Sequence, residues 1–474
     1  MSETRYGNMR ILRFFILAFM ILMVGMLTAT VQTHAGSWHK VYLKPGQTYD
    51  VSDAGWNTTV YIDKAGSYTL KGKSTKCKVV IKSGGVNVYL EDGLEIDPGI
   101  KANIGVATAG LIVEDMSGTV KLISKKGADA YIGGYLMASA IEKVGYNSKL
   151  VFETADPANP GTITAYRSHG SNSAGIGSTY EFSGRVSTGN IEINSGNIVA
   201  TGGYMSAGIG GGGNGNAYYI TINGGNVSAA GGTHGTGIGG GFHGNASNIT
   251  INGGTVKAES IGEGAGIGSG EQSKYAKNII INGGNITARS DLGAGIGGGQ
   301  RSEVENLRIN GGTVYAYSRN TGIGSSCDQH LGILKSLYIT GGTVVAESKG
   351  TAIGAANSSP GPNNIYISGG IIEAKGDLIA IGGGGFSSVT DDTRITNVTI
   401  SGGTIKADGG DKDFGSGAWM DQFNLTITGG SILAERAQMQ SDAKDQFGNV
   451  VHRTNVTLDG LGNSLFSVQD IEIA

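Results

Sequence analysis

Two cysteines in 474 residues leave almost no scope for a disulfide framework. Charge is scarce too, with 15% of residues Asp, Glu, Lys or Arg and a net charge of −3. A slightly acidic chain of this kind lacks the basic surface that nucleic acid requires of a partner. Long apolar runs are missing except one, Phe14 to Leu27, which is shorter than the roughly 20 residues a spanning helix needs. There is no Gly-X-Y period, so the 85 glycines do not build collagen. Glycine at this level means turns. Because Ile, Val and Ala alternate strictly between those turns, the chain is not disordered either; its core must be long and thin.

What stands at the start is a basic segment with Arg5, Arg10 and Arg13, then the apolar run, then the small-residue exit Thr33-His34-Ala35. This is the layout of a secretory signal peptide cleaved after Ala35. The remainder carries 32 basic and 37 acidic residues, and no stable membrane span is expected after cleavage.

The dominant feature is a period. A Gly-Gly or Ser-Gly doublet ends at Gly196, Gly225, Gly254, Gly284, Gly312, Gly342, Gly370, Gly403 and Gly430, so that one unit is about 29 residues long. Within each unit, three short segments alternate with period 2. The first points Ile191 and Ile193, Ile249 and Ile251, or Leu337 and Ile339 inward; the second points Val256 or Val344 inward, followed two residues later by an alanine. That alanine recurs from Ala200 to Ala434 and implies a tight corner. The third segment centres on Ile176, Ile209, Ile238, Ile267, Ile296, Ile323, Ile353 and Ile381, flanked by Gly or Ala. Glycine weakens a strand, so its repetition implies that backbones approach too closely for a Cβ.

After the first segment stands Asn194, Asn223, Asn252, Asn282 or Asn310, then Thr340, Ser368, Ser401 and Thr428. Stacked coils would align these asparagines into a hydrogen-bonded column, and Asn tolerates the left-handed backbone of a turn. Three strands per coil predict an all-β, right-handed parallel β-helix with capped ends. The expected divisions are 1–35 signal peptide, 36–159 cap and irregular coils, 160–436 regular coils and 437–474 terminal cap. Cys77 and Cys327 would then lie roughly 40 Å apart at about 4.8 Å per coil, too far to pair.

The units Asn248 to Ala258 and Asn278 to Ala288, each followed by Gly-Ile-Gly, resemble repeats of secreted and cell-surface bacterial proteins. They are similar to a clostridial family of β-helix carbohydrate-binding domains shaped like pectate lyases. The resemblance implies polysaccharide binding with Ca²⁺ as an optional partner, and matches no residue here to a family binding site.

Chemistry must sit on outward positions, because the repeated residues are core and corner. Arg308, Tyr338 and Tyr366 fall outward on consecutive rungs, with Tyr315 and Tyr317 outward on the second strand of the same region. Aromatic rings with polar edges suit sugar contact, and Arg suits uronate carboxylates. The competing expectation is that such a column only stabilises the sheet.

A set of acids, Asp391, Asp392, Asp408 and Glu435, with Asp411, Asp413 and Asp421 near in sequence, offers oxygen ligands of the type Ca²⁺ takes. Asp408 and Glu435 on neighbouring rungs, or a base beside Lys375 and Lys406, would be needed for a hydrolase or lyase. No motif supports that arrangement. His169 and His234, each beside Gly, are expected to be turn residues. Gly-Ile-Gly-Gly-Gly at Gly208, Gly237 and Gly295 has no helix after it, so no phosphate cradle is expected. The function expected from sequence is an exported, monomeric, non-catalytic polysaccharide binder, for instance of plant cell-wall glycan, with no required cofactor. A polysaccharide lyase or hydrolase, or a protein-binding adhesin, is the alternative on the same scaffold.

Overall fold

The computed structural model describes residues 39–98, 108–167, 171–180, 186–326, 332–356, 363–383, 395–416 and 422–434, and the backbone of 443–444, 450–458 and 466–467. The chain divides into two units, Met1–His39 and Lys40–Ala474, and the second is the solenoid. The expected signal segment and Cys327 lie outside the described residues. Among the described residues no helix is long and apolar enough to cross a membrane.

Each coil lays its three strands into three parallel sheets. The first-strand sheet contains Ala246–Ile251, Tyr275–Ile281 and Glu303–Ile309. The second-strand sheet, 15-stranded among the described residues, contains Thr255–Ser260 and Asn285–Ser290, and the third-strand sheet, 14-stranded, contains Ile238–Gly239 and Ile267–Gly268. Equivalent residues pair in register from coil to coil, as Ile249 with Ile279, Ile279 with Leu307 and Leu307 with Leu337. The chain is therefore an all-β, right-handed parallel solenoid of about 29 residues per turn. The same sheets continue back through Val120, Val86 and Val60, with coils of less even length before residue 160.

The inward columns are buried, from Ile191 to Ile427 on the first strand and from Ala200 to Ala434 at the rung alanines, whereas the outward Ile280 is only half-buried. The tight corner at those alanines has a direct cause. A Cβ built on Gly237 would stand 2.5 Å from Glu259 N and 2.8 Å from Ala258 C, so the third strand lies against the backbone of the second. Along the sheet axis the approach is closer still. Gly239 has φ +135°, and a Cβ there would meet Gly268 O at 1.8 Å. Glycine in the third strand is thus a steric requirement.

The asparagine column forms as expected. Nδ2 of Asn223, Asn252, Asn282 and Asn310 each donates to Oδ1 of the asparagine one coil earlier at 2.8 Å, and Thr340 Oγ1 continues the chain to Asn310 at 3.0 Å. The expected left-handed backbone is found elsewhere. Positive φ belongs to the second doublet glycine, as at Gly254 (+85°), and to Asn190, Tyr219, Asn248, Asn278 and Asn306. Asn248 (φ 58°) puts a kink inside the first strand that lets both Ala246 and Ile249, three positions apart, enter the core. A second asparagine column follows from it, Asn278 to Asn248 at 3.0 Å and Asn306 to Asn278 at 2.7 Å.

Candidate functional site

The outward column predicted at Arg308, Tyr338 and Tyr366 is assembled by strand register, Arg308 opposite Tyr338 and Tyr338 opposite Tyr366. The inter-strand spacing of a sheet is close to the centroid separation of two stacked rings. Accordingly the Tyr338 and Tyr366 rings stack at 5.0 Å and 12°, and the Arg308 guanidinium lies 4.1 Å from the Tyr338 centroid. Arg308 Nε donates to Asn306 Oδ1 at 2.6 Å, which fixes the guanidinium in that position. Stacking has a consequence that outward periodicity does not reveal. Tyr338 has a cation over one face and a ring over the other, while Tyr366 is exposed and its neighbour on the next coil is the small Thr399.

On the second strand, Arg289 lies 5.1 Å from the Tyr315 ring and 5.8 Å from the Tyr317 ring. The Tyr315 hydroxyl donates to Glu347 Oε2 at 2.6 Å. Burial, then the bond to Glu347 and its negative charge, push the Tyr315 phenol up to about 12. These two columns flank the Gly311-Gly312 corner and give the region from Arg289 to Tyr366 an outward surface of phenols, guanidinium groups and amides.

Of the acids expected to hold Ca²⁺, Asp391, Asp392, Asp421 and Glu435 lie outside the described residues. Asp408 pairs in register with Lys375, one coil earlier. Asp413 is buried, and its Oδ1 accepts the Gly409 N–H at 2.7 Å. Lys406 is bonded to Glu373 at 2.8 Å.

A different group comes together some coils earlier. His234, Glu263 and Glu271 place one ligand atom each within 4.8 Å of one another. His234 does occupy a bend, as expected, but a bend with partners. Its Nδ1 lies 2.5 Å from Glu271 Oε2 and 3.1 Å from Glu263 Oε2, and its Nε2 lies 3.0 Å from the Tyr204 hydroxyl. The backbone holds these residues in place. His234 N–H donates to Tyr204 O, Glu263 N–H to Thr233 O and Glu271 N–H to His234 O, at 3.1, 2.6 and 3.0 Å. Tyr204 meets the imidazole edge-on at 4.8 Å, and Phe242 packs at 5.3 Å. Among the described residues, His234 is the one basic group paired with either glutamate. The signal in the sequence was an offset: His234 and Glu263 both stand five residues after a rung alanine, Ala229 and Ala258. His169 lies outside the described residues.

Six stretches, residues 191–213, 220–242, 249–271, 279–300, 307–327 and 398–418, match the family model described as Beta helix repeat. Nothing matches among the curated proteins or the solved structures. The matched repeat is broader than the clostridial carbohydrate-binding family that the motifs resemble, and does not reach it. With the three registered sheets, it makes the chain a β-helix repeat protein, of a fold common among polysaccharide-active and adhesin proteins.

Proposed function

We propose that the protein is an exported, non-catalytic polysaccharide binder whose ligand lies along the outward face running from Arg289 to Tyr366. The observation that carries this is the in-register column of Arg308, Tyr338 and Tyr366, ending on an exposed ring above Thr399. A pyranose presents an apolar face to such a ring and hydroxyl groups to its neighbours, and Arg adds a bidentate partner for a uronate carboxylate. The stacked faces of Tyr338 are already used, so the contacts on offer are the far face of Tyr366, the ring edges and the phenol hydroxyls. Successive coils repeat the polar surface at roughly 4.8 Å, near the length of a sugar unit, which suits an extended chain over a single sugar.

The test is retention of the mature protein on immobilised plant cell-wall glycans and on a glycan array. Changing both Tyr338→Ala and Tyr366→Ala is expected to abolish retention while the circular dichroism stays that of a β-solenoid. Full retention by the double variant rejects this face. Release of unsaturated uronates or reducing ends from pectin would replace binding by a lyase or hydrolase activity.

A further inference from the structure

His234, Glu263 and Glu271 carry more ligating capacity than their hydrogen bonds use. One nitrogen, His234 Nδ1, faces two carboxylate oxygens at 2.5 and 3.1 Å. A single N–H serves one acceptor well, and here that is Glu271. Glu263 Oε2 is left buried without a hydrogen-bond partner, an uncommon and costly state for a carboxylate oxygen. Charge is out of balance as well, since two carboxylates meet at most one imidazolium.

We propose that His234 Nδ1, Glu263 Oε2 and Glu271 Oε2 bind one divalent transition-metal ion of the Zn²⁺ class. A 2+ ion with a neutral imidazole cancels both carboxylate charges and gives Glu263 Oε2 its missing partner. The three ligand atoms lie within 4.8 Å of one another, and the two distances from His234 Nδ1 are close to what such an ion needs. Tetrahedral bonds of about 2.0–2.2 Å hold neighbouring ligand atoms roughly 3.3 Å apart. The His234 to Glu263 distance of 3.1 Å meets this, and the His234 to Glu271 distance of 2.5 Å must open by less than 1 Å. An imidazole ligand favours Zn²⁺ and its neighbours in the series over Ca²⁺ or Mg²⁺, which prefer oxygen alone.

The surroundings match a metal-bound histidine. With Nδ1 given to the ion, Nε2 carries the proton and donates it to the Tyr204 hydroxyl at 3.0 Å, which fixes the tautomer. Gln272 Nε2 donates to the other oxygen of Glu271 at 2.9 Å, orienting that carboxylate. The ligands come from two neighbouring coils and the orienting tyrosine from a third. The ion would therefore clamp adjacent turns of the solenoid and keep a fourth position open to water or to a ligand oxygen. This site is separate from the tyrosine columns and stands or falls independently of glycan binding.

Calorimetric titration of the chelator-stripped, full-length mature protein with Zn²⁺ tests it. The expected result is one high-affinity ion per chain, Ca²⁺ binding at least tenfold more weakly. His234→Ala and Glu263→Gln should each weaken Zn²⁺ binding at least tenfold. Tyr204→Phe keeps the ring contact and should weaken it by about tenfold, the usual effect of losing an orienting partner. Absence of Zn²⁺ heat in the wild type overturns the site. Unchanged affinity in Glu263→Gln also overturns it, by placing the ion on other histidines. If His234→Ala fails to fold, Glu263→Gln, which keeps the side-chain shape, decides alone.

Discussion

The asparagine column from Asn194 to Asn310 and the cluster at His234 are both built of polar side chains stacked on consecutive coils, and their bonding differs at every step. In the column the amides of Asn223, Asn252, Asn282 and Asn310 each donate to the asparagine before at 2.8 Å, and the ends are taken up by Glu153 and Thr340. Identical residues at identical offsets satisfy one another, and no buried oxygen of the column is left without a partner. At His234 the offset is kept but the residue changes, from histidine to glutamate on the next coil, and a second glutamate arrives from beyond the third strand. Two acceptors then compete for one donor, and Glu263 Oε2 goes without. In a solenoid the repeated polar residue is structural, and the residue that breaks the repeat is where chemistry can collect.

Both arrangements depend on coil spacing, and the sharpest way to break the comparison is to disturb that spacing. Gly239 follows the His234 bend, and its missing Cβ would sit 1.8 Å from Gly268 O at φ +135°. Gly239→Ala must pay left-handed strain and force two coils apart. The expected cost is about 4 kcal/mol or more, at the severe end for one substitution. Chemical denaturation measures it, and loss of Zn²⁺ binding should accompany it. A cost under about 1 kcal/mol would mean that the coils are not held at the spacing both columns share.

The second prediction separates the two arrangements by sign. Asn252→Ala removes the bonds to Asn223 and Asn282 together, at roughly 0.5–1.5 kcal/mol each. The expected loss is about 1–2 kcal/mol, and Asn252→Thr should recover part of it, because Thr340 already ends the column with one hydroxyl bond. Glu263→Gln, measured in chelator, should instead leave stability unchanged or raise it by about 0.5 kcal/mol, since it removes one of two crowded like charges. Equal losses at Asn252 and Glu263 would show that the cluster is bonded as completely as the column.

That difference also marks what the sequence could tell. The Asn-Gly-Gly doublet, the rung alanines and the Ile columns are legible because every coil repeats them, and repetition is what a period reveals. Tyr338 and Tyr366 were legible as outward by alternation, but not the stacking that covers the faces of Tyr338, which depends on side-chain direction between coils. The left-handed turn was expected at residues such as Asn252, yet the structure puts it at Gly254 and gives a second positive φ to Asn248, inside the strand, where Ala246 must also reach the core. Asn248 looks like any polar residue in a strand. Glu271 was hidden for another reason, since it reaches His234 from the far side of the third strand, at an offset that no other ligand shares.

Tyr315 and Glu347 lie between the two extremes, out of period yet joined by one bond of 2.6 Å, and they set the smallest test. Burial first, then the bond and charge of Glu347, raise the phenol from 10.0 to about 12. A raised folded value means that the folded protein holds this proton where the unfolded chain has released it. The resulting stability is fully present below pH 10 and is lost as pH climbs toward about 12. Because Tyr315 is only partly buried, the loss should be slight and best read spectroscopically. Tyrosinate absorbance should show several phenols titrating late, Tyr131 and Tyr315 both at about 12, and one fewer of them in Tyr315→Phe. Glu347→Gln removes the charge and weakens the bond, and should bring the Tyr315 phenol partway down; burial, the larger cause, remains and prevents a full return. If Glu347→Gln leaves the titration where it was, the pair is not coupled as its geometry requires, and an isolated bond outside the period counts for less than one link of the asparagine column.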